Sequence, residues 1–183
     1  MGLASKQEKV LELFFNEPTK HWHFGDVVHK ANMSQDRVNH WLRVFVKENL
    51  VRRIKLKGKM PFFIGNYEHP DFCYRKRAYG LDKMQGSGLL SRLHSLKNVK
   101  AVVIFGSFAR GDWNAESDVD VFVLGSVSDL KHKMKWKNSG REVQIHAFRT
   151  VEDIKDIRSG LIHNVVQGYF VKGSIHDLVK VSV

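Results

Sequence analysis

The sequence predicts a mixed α/β (α+β) chain of two parts: a small helical domain closed by a β-hairpin, then a small mixed sheet flanked by helices. Three observations predict it. Apolar residues recur at helical spacing in three segments of the first fifty residues. Two short β-forming runs then flank the basic turn "KGKMP". From Lys100 onward, unbroken apolar runs alternate with helix-like stretches, the pattern of strands covered on both faces. The boundaries are read as 1–67 for the first domain, 68–86 for a helical connector and 87–183 for the second domain.

In "SKQEKVLELFFNEP", Val10, Leu11, Leu13, Phe14 and Phe15 cluster on a helix that "NEP" ends. "HFGDVVHKAN" makes a short second helix. "MSQDRVNHWLRVFVKEN" makes the third, with Ser34 as N-cap and Val38, Trp41, Leu42, Phe45 and Val46 on one face. Asn49 can close it in a left-handed conformation. "LVRRIKL" and "FFIGNY" follow as the two hairpin strands. Three helices and a hairpin are the winged helix-turn-helix arrangement. In that arrangement the third helix enters a DNA major groove and presents Gln35, Arg37, Asn39, His40 and Arg43. The wing presents Arg52, Arg53, Lys55, Lys57 and Lys59 to the backbone. The charge agrees with a DNA partner: the chain carries +11, and 15 of its 30 basic but only 8 of its 19 acidic residues lie in the first 80. Winged helices also serve as protein-docking modules, so the first domain alone does not fix a nucleic-acid role.

Several classes are excluded. No apolar run approaches the roughly 18 residues that cross a bilayer, and "MGLASKQEKV" lacks a signal-peptide core, so the expected location is cytoplasmic. One cysteine, Cys73, rules out an intramolecular disulfide and a cysteine-rich zinc site. The ten histidines are scattered.

"AVVIF" reads as a central strand, "VDVFVL" as a second, and "REVQIHAF" as a third with Glu142, Gln144 and His146 on one face. Further helices and a closing "YFV" strand complete the domain, the first of these helices capped by Thr150 with Asp153. Asp118 and Asp120 stand at i and i+2, on one face of the second strand. Two carboxylates so placed repel unless a cation lies between them or one is protonated. A divalent metal accounts for the pair: Mg²⁺, or Mn²⁺ in its stead, takes oxygen ligands from one or two carboxylates plus substrate phosphates. Gly106 and Ser107 open a short helix beside the pair, where free N–H groups can hold a phosphate. An anion cradle next to a metal pair is what phosphoryl or nucleotidyl transfer requires.

"GSFARGDWNAESDVDV" resembles the signature of the DNA polymerase β-type nucleotidyltransferase superfamily, and its GSxARG and SDxD form resembles the minimal nucleotidyltransferase (MNT) branch. The whole chain resembles prokaryotic proteins that join a winged helix to such a domain. The resemblance implies metal ligation by Asp118 and Asp120, triphosphate binding by Gly106 and Ser107, and a bracing or phosphate contact for Arg110. It implies ATP or another NTP as substrate and a hydroxyl acceptor, with a HEPN-type toxin as a candidate protein acceptor. It also implies a third acid on a later strand, where this sequence has Gln144. Glu142 ranks first and His146 second as its substitute, in ligation or in proton transfer. The competing reading is a DNA-binding regulator whose degenerate nucleotidyltransferase domain senses nucleotide or mediates contacts.

Overall fold

The computed structural model describes residues 6–126, 133–137, 139–155 and 159–178. They fall into two compact units: Met1–Ala78 with Asp112–Ala115, and Tyr79–Gly111 with Glu116–Val183.

The first unit begins with α1 (Lys6–Asn16), α2 (Phe24–Ala31) and α3 (Gln35–Lys47). Two strands follow, β1 (Val51–Ile54) and β2 (Phe62–Gly65), paired antiparallel from Val51↔Gly65 to Ile54↔Phe62. Trp22 adds a single antiparallel bridge to Phe63, with backbone N–H bonds of 2.9 and 2.8 Å in the two directions. The core is aromatic: Phe14, Phe15 and Phe45 have no exposed surface and Trp22 almost none. This is the predicted order of three helices and a hairpin.

Two local expectations are corrected. Ser34 stands at the N-cap of α3 in extended backbone, but its side chain makes no capping hydrogen bond. Val46 is exposed, because the buried stripe is Val38, Leu42 and Phe45, and position 46 rotates past its edge. Asn49 takes the left-handed conformation expected of it, with φ of 58°.

The stretch 68–86, read as a helical connector, is one long helix, α4 (Pro70–Gly86), and the division between units falls inside it, after Ala78. Its first part supplies Phe72 and Lys76, both essentially unexposed, to the first unit. Trp113 belongs to the same unit. Its ring lies 6.1 Å from Phe15, edge-on, and 4.7 Å from the Lys76 ammonium. Ala115 N–H donates to the Asn16 carbonyl at 2.9 Å. The segment Asp112–Ala115 is thus fastened by a buried indole and a backbone bond.

The second unit continues with α5 (Leu89–His94), β3 (Val99–Phe105), α6 (Ser107–Arg110), β4 (Val119–Gly125), β5 (Lys133–Lys135), β6 (Glu142–Phe148), α7 (Glu152–Lys155), α8 (Ser159–Val166) and β7 (Tyr169–Lys172). The sheet order is β5-β6-β4-β3-β7, with β4 and β6 parallel and the other pairs antiparallel. The mixed sheet agrees with the sequence; β5 was not foreseen, since "KMK" carries no apolar alternation. Lysines suit an edge strand, where they discourage further pairing. On one face Ala101, Val103, Phe105, Phe122 and Leu124 form a core with Ile154, Val165 and Leu178. Strand alternation puts Asp120 on that face, one step before Phe122. A slip of one residue would turn Phe122 and Leu124 out of the core, so hydrophobic burial fixes where the acid stands.

Thr150 and Asp153 cap the turn into α7 reciprocally: Thr150 N–H donates to Asp153 Oδ2 at 3.0 Å, and Asp153 N–H to Thr150 Oγ1 at 3.3 Å.

Trp113→Ala removes a buried ring and leaves a cavity against Phe15 and Lys76. The expected loss of stability is about 3–5 kcal/mol, measured as a lower urea midpoint for the full chain; an unchanged midpoint contradicts this account of the segment.

Candidate active site

β3 ends at Phe105, whose register partner on β4 is Asp120. The chain then turns at Gly106, with φ of 71° and ψ of −146°. A Cβ at Gly106 would lie 2.6 Å from Asp120 Oδ2, so both the backbone angle and the space require glycine there. Gly111 ends α6 in left-handed conformation. Asp118 directly precedes β4 rather than lying within it, and Asp120 is its second residue.

β6 supplies the other side of the site. It runs parallel to β4, with Asp120 opposite Gln144 and Phe122 opposite His146. Gln144 Nε2 donates to Asp118 Oδ2 at 2.6 Å. His146 Nε2 lies 3.4 Å from Asp120 Oδ1, and its ring meets Phe105 edge-on with centroids 5.3 Å apart. Each acid therefore has its own polar neighbour on β6. Glu142, at the start of the strand and opposite Lys135 in register, keeps its Oε1 enclosed.

Extended backbone separates i and i+2 by roughly 6.5–7 Å. At an effective dielectric of about 20, two carboxylates at that spacing repel by about 2–3 kcal/mol. A hydrogen bond to a charged group contributes about 1.5–3 kcal/mol, so the Gln144 bond is of the same size as the repulsion. Asp120 shows the remaining strain. Burial pushes its carboxyl above the usual carboxylate range, with the Asp118 charge adding to that, while the His146 bond and charge and the Arg110 charge oppose it.

Arg141 is a participant that sequence reasoning missed. Its Nη1 donates to the Ser117 carbonyl at 2.8 Å and its guanidinium lies 5.4 Å from the Phe108 ring centroid. It ties the residue before Asp118 to the start of β6 and packs on α6. The only sequence signal was an arginine after a glycine. Trp136 is a second such case: its ring stands edge-on to Phe108 at 5.8 Å, and its Nε1 donates to Ser87 Oγ at 2.7 Å.

Two carboxylates beside a tight glycine turn form a donor set that fits a hard divalent cation shared with phosphate oxygens. Among the described residues no group of three or more His, Cys, Asp and Glu side chains is arranged to hold a metal by itself.

The nucleotidyltransferase domain model matches residues 87–180, half of the chain. The chain belongs to that family. Two relatives from Methanocaldococcus jannaschii, each named "Putative protein adenylyltransferase", are similar over short stretches: 48% identical over 29 residues and 54% over 35. These stretches cover 16% and 19% of this chain, and only 29% and 35% of the relatives' lengths. The nucleotidyltransferase domain thus contains the whole acidic site. A groove of about 300 Å³ in the same unit, lined by Gln85, Leu90, Ser91, His94, Tyr169 and Val171, shares no residue with it; the chemistry of the acids, not the size of the groove, locates the site.

All ten side chains read as a nucleic-acid surface are exposed: Gln35, Arg37, Asn39, His40 and Arg43 on or beside α3, and Arg52, Arg53, Lys55, Lys57 and Lys59 along the hairpin. No helix among the described residues is long and apolar enough to cross a membrane.

The raised carboxyl of Asp120 sets a pH dependence. Unfolding returns this acid to its ordinary range, so ionisation favours the unfolded chain, and the penalty grows as pH rises from about 4 through the folded value, then stays constant. Without divalent ions, Asp120→Asn is expected to melt higher than wild type at neutral pH and to lose that advantage near pH 3. Parallel melting curves across this range would show that burial does not govern the acid.

Proposed function

We propose that the chain is a metal-dependent nucleotidyltransferase that moves AMP from ATP to a hydroxyl of a protein acceptor, joined to a winged-helix module that binds DNA. The observation that carries the reading is the carboxylate pair set against the Gly106 turn inside a nucleotidyltransferase domain. The adenylyl group and the protein acceptor are inferred from the names of the two relatives; a HEPN-type toxin is the candidate acceptor that the family resemblance implies.

In the reaction, the acceptor oxygen attacks the α-phosphorus as the bond from that phosphorus to the β-phosphate bridging oxygen breaks. Pyrophosphate leaves with the electron pair, and the hydroxyl proton passes to a base. Asp118 and Asp120 would hold Mg²⁺ or Mn²⁺, which when bound supplies charge stabilisation on the phosphates and the departing oxygen. Gly106 lets the backbone approach the triphosphate closely, with Ser107 at the helix start and Arg110 on its last turn. For the proton, His146 is favoured over Glu142, because it stands against Asp120 while a Glu142 oxygen is enclosed.

The test is calorimetric titration of ATP and of a nonhydrolysable analogue, with Mg²⁺, into wild type and an Asp118→Ala, Asp120→Ala double variant, followed by transfer of labelled AMP to a co-expressed acceptor. Metal-dependent binding is expected in wild type and not in the variant, with transfer reduced at least 10²–10³-fold, roughly the scale for losing one charge-stabilising group. Binding without transfer to any protein would favour the regulator reading; no binding would end the nucleotide reading.

The DNA module has its own readout. Replacing Lys55, Lys57 and Lys59 with alanine is expected to weaken duplex binding for all sequences alike and to flatten the log–log salt dependence by about one per lysine. An unchanged slope removes the wing from the interface.

A further inference from the structure

We propose that the site loads a single divalent cation per bound nucleotide, and that the Gln144 amide stands where a second cation would otherwise be needed. The inference rests on the nucleotidyltransferase reading above. It deepens that reading by fixing what the carboxylate pair can hold.

The four carboxylate oxygens of the pair are not equivalent. Asp118 Oδ2 accepts from Gln144 Nε2 at 2.6 Å, and Asp120 Oδ1 faces His146 Nε2 at 3.4 Å. Both of these oxygens are engaged from β6. Asp120 Oδ2 faces the opposite way, toward the Gly106 turn, where an added Cβ would touch it. That leaves Asp120 Oδ2 on the side of the turn.

On the β6 side the groups that stand against the two acids are an amide and an imidazole, while Glu142, the carboxylate of that face, opens the strand with one oxygen enclosed. Two-ion sites place their cations roughly 3.5–4 Å apart, so a second ion would have to share the two carboxylate oxygens that Gln144 and His146 face. The parallel ladder between β4 and β6, with Gln144 directly opposite Asp120, holds the amide in place by backbone pairing rather than by a flexible loop.

Gln144→Glu is the deciding variant. It keeps the side-chain length and replaces the donor amide with a carboxylate facing Asp118. The probe is Mn²⁺, counted by electron paramagnetic resonance on the full-length chain saturated with a nonhydrolysable ATP analogue, with melting curves as a folding check. The expected result is one Mn²⁺ per chain in wild type and two in Gln144→Glu, the second pair giving a spin-coupled signal. Two bound ions in wild type would overturn the proposal whatever the variant does, even if it fails to fold. A folded Gln144→Glu that stays at one ion would overturn the role given to the amide. Nucleotide and metal both failing to bind wild type would remove the nucleotidyltransferase reading itself, and this inference with it.

Discussion

The arrangement of the second unit depends on keeping two carboxylates close together at one end of an apolar sheet. Phe122 and Leu124 are driven into the core, and they set the register of β4. That register puts Asp120 on the same face, where burial opposes its charge. Everything around the pair answers that electrostatic cost: a glycine that leaves room for Asp120 Oδ2, an amide on Asp118, an imidazole on Asp120, and an arginine that fastens the backbone just ahead of them. Hydrogen bonds of this kind are comparable with the repulsion, so the chain can fold with the pair in place and still leave it short of a cation.

The site's main parts were legible in the sequence because they are local. Gly106, Ser107, Asp118 and Asp120 lie within fifteen residues, and each is a residue type with few alternatives at its position: glycine for a positive φ, acids for a cation. The mixed sheet was legible for a similar reason, since β3 and β4 are unbroken apolar runs. What sequence could not show were partners far apart along the chain. Arg141 reaches the carbonyl of Ser117, and a backbone acceptor leaves no trace in composition. Trp113 is buried with Phe15 and Lys76 of the first unit, nearly forty residues or more away along the chain. The strand β5 is three residues long and exists only because β6 offers it an edge.

The replacement of an acid by Gln144 had looked like a defect when set against the family pattern. Its geometry gives a different picture. The Gln144 amide donates to Asp118, and a glutamate there would face that carboxylate at hydrogen-bonding distance. In the absence of metal such a pair would either repel or take up a proton. The amide avoids both outcomes and leaves the turn side of the pair unchanged.

The proposed one-ion loading would also change what the protein itself must do in the reaction. A cation on the acceptor side can lower the pKa of a bound hydroxyl without any protein base. Where that ion is missing, a side chain has to orient the hydroxyl and receive its proton. His146 is the group of β6 that stands against the acid next to the turn, and its ring is held from one side by the edge-on contact with Phe105. A carboxylate that orients an imidazole also stabilises the charge that the imidazole gains on taking a proton. Under the proposed one-ion loading, the amide on Asp118 and the imidazole on Asp120 would be complementary: the first would stand in for a second cation beside the pair, and the second would supply the proton acceptor that such a cation makes unnecessary.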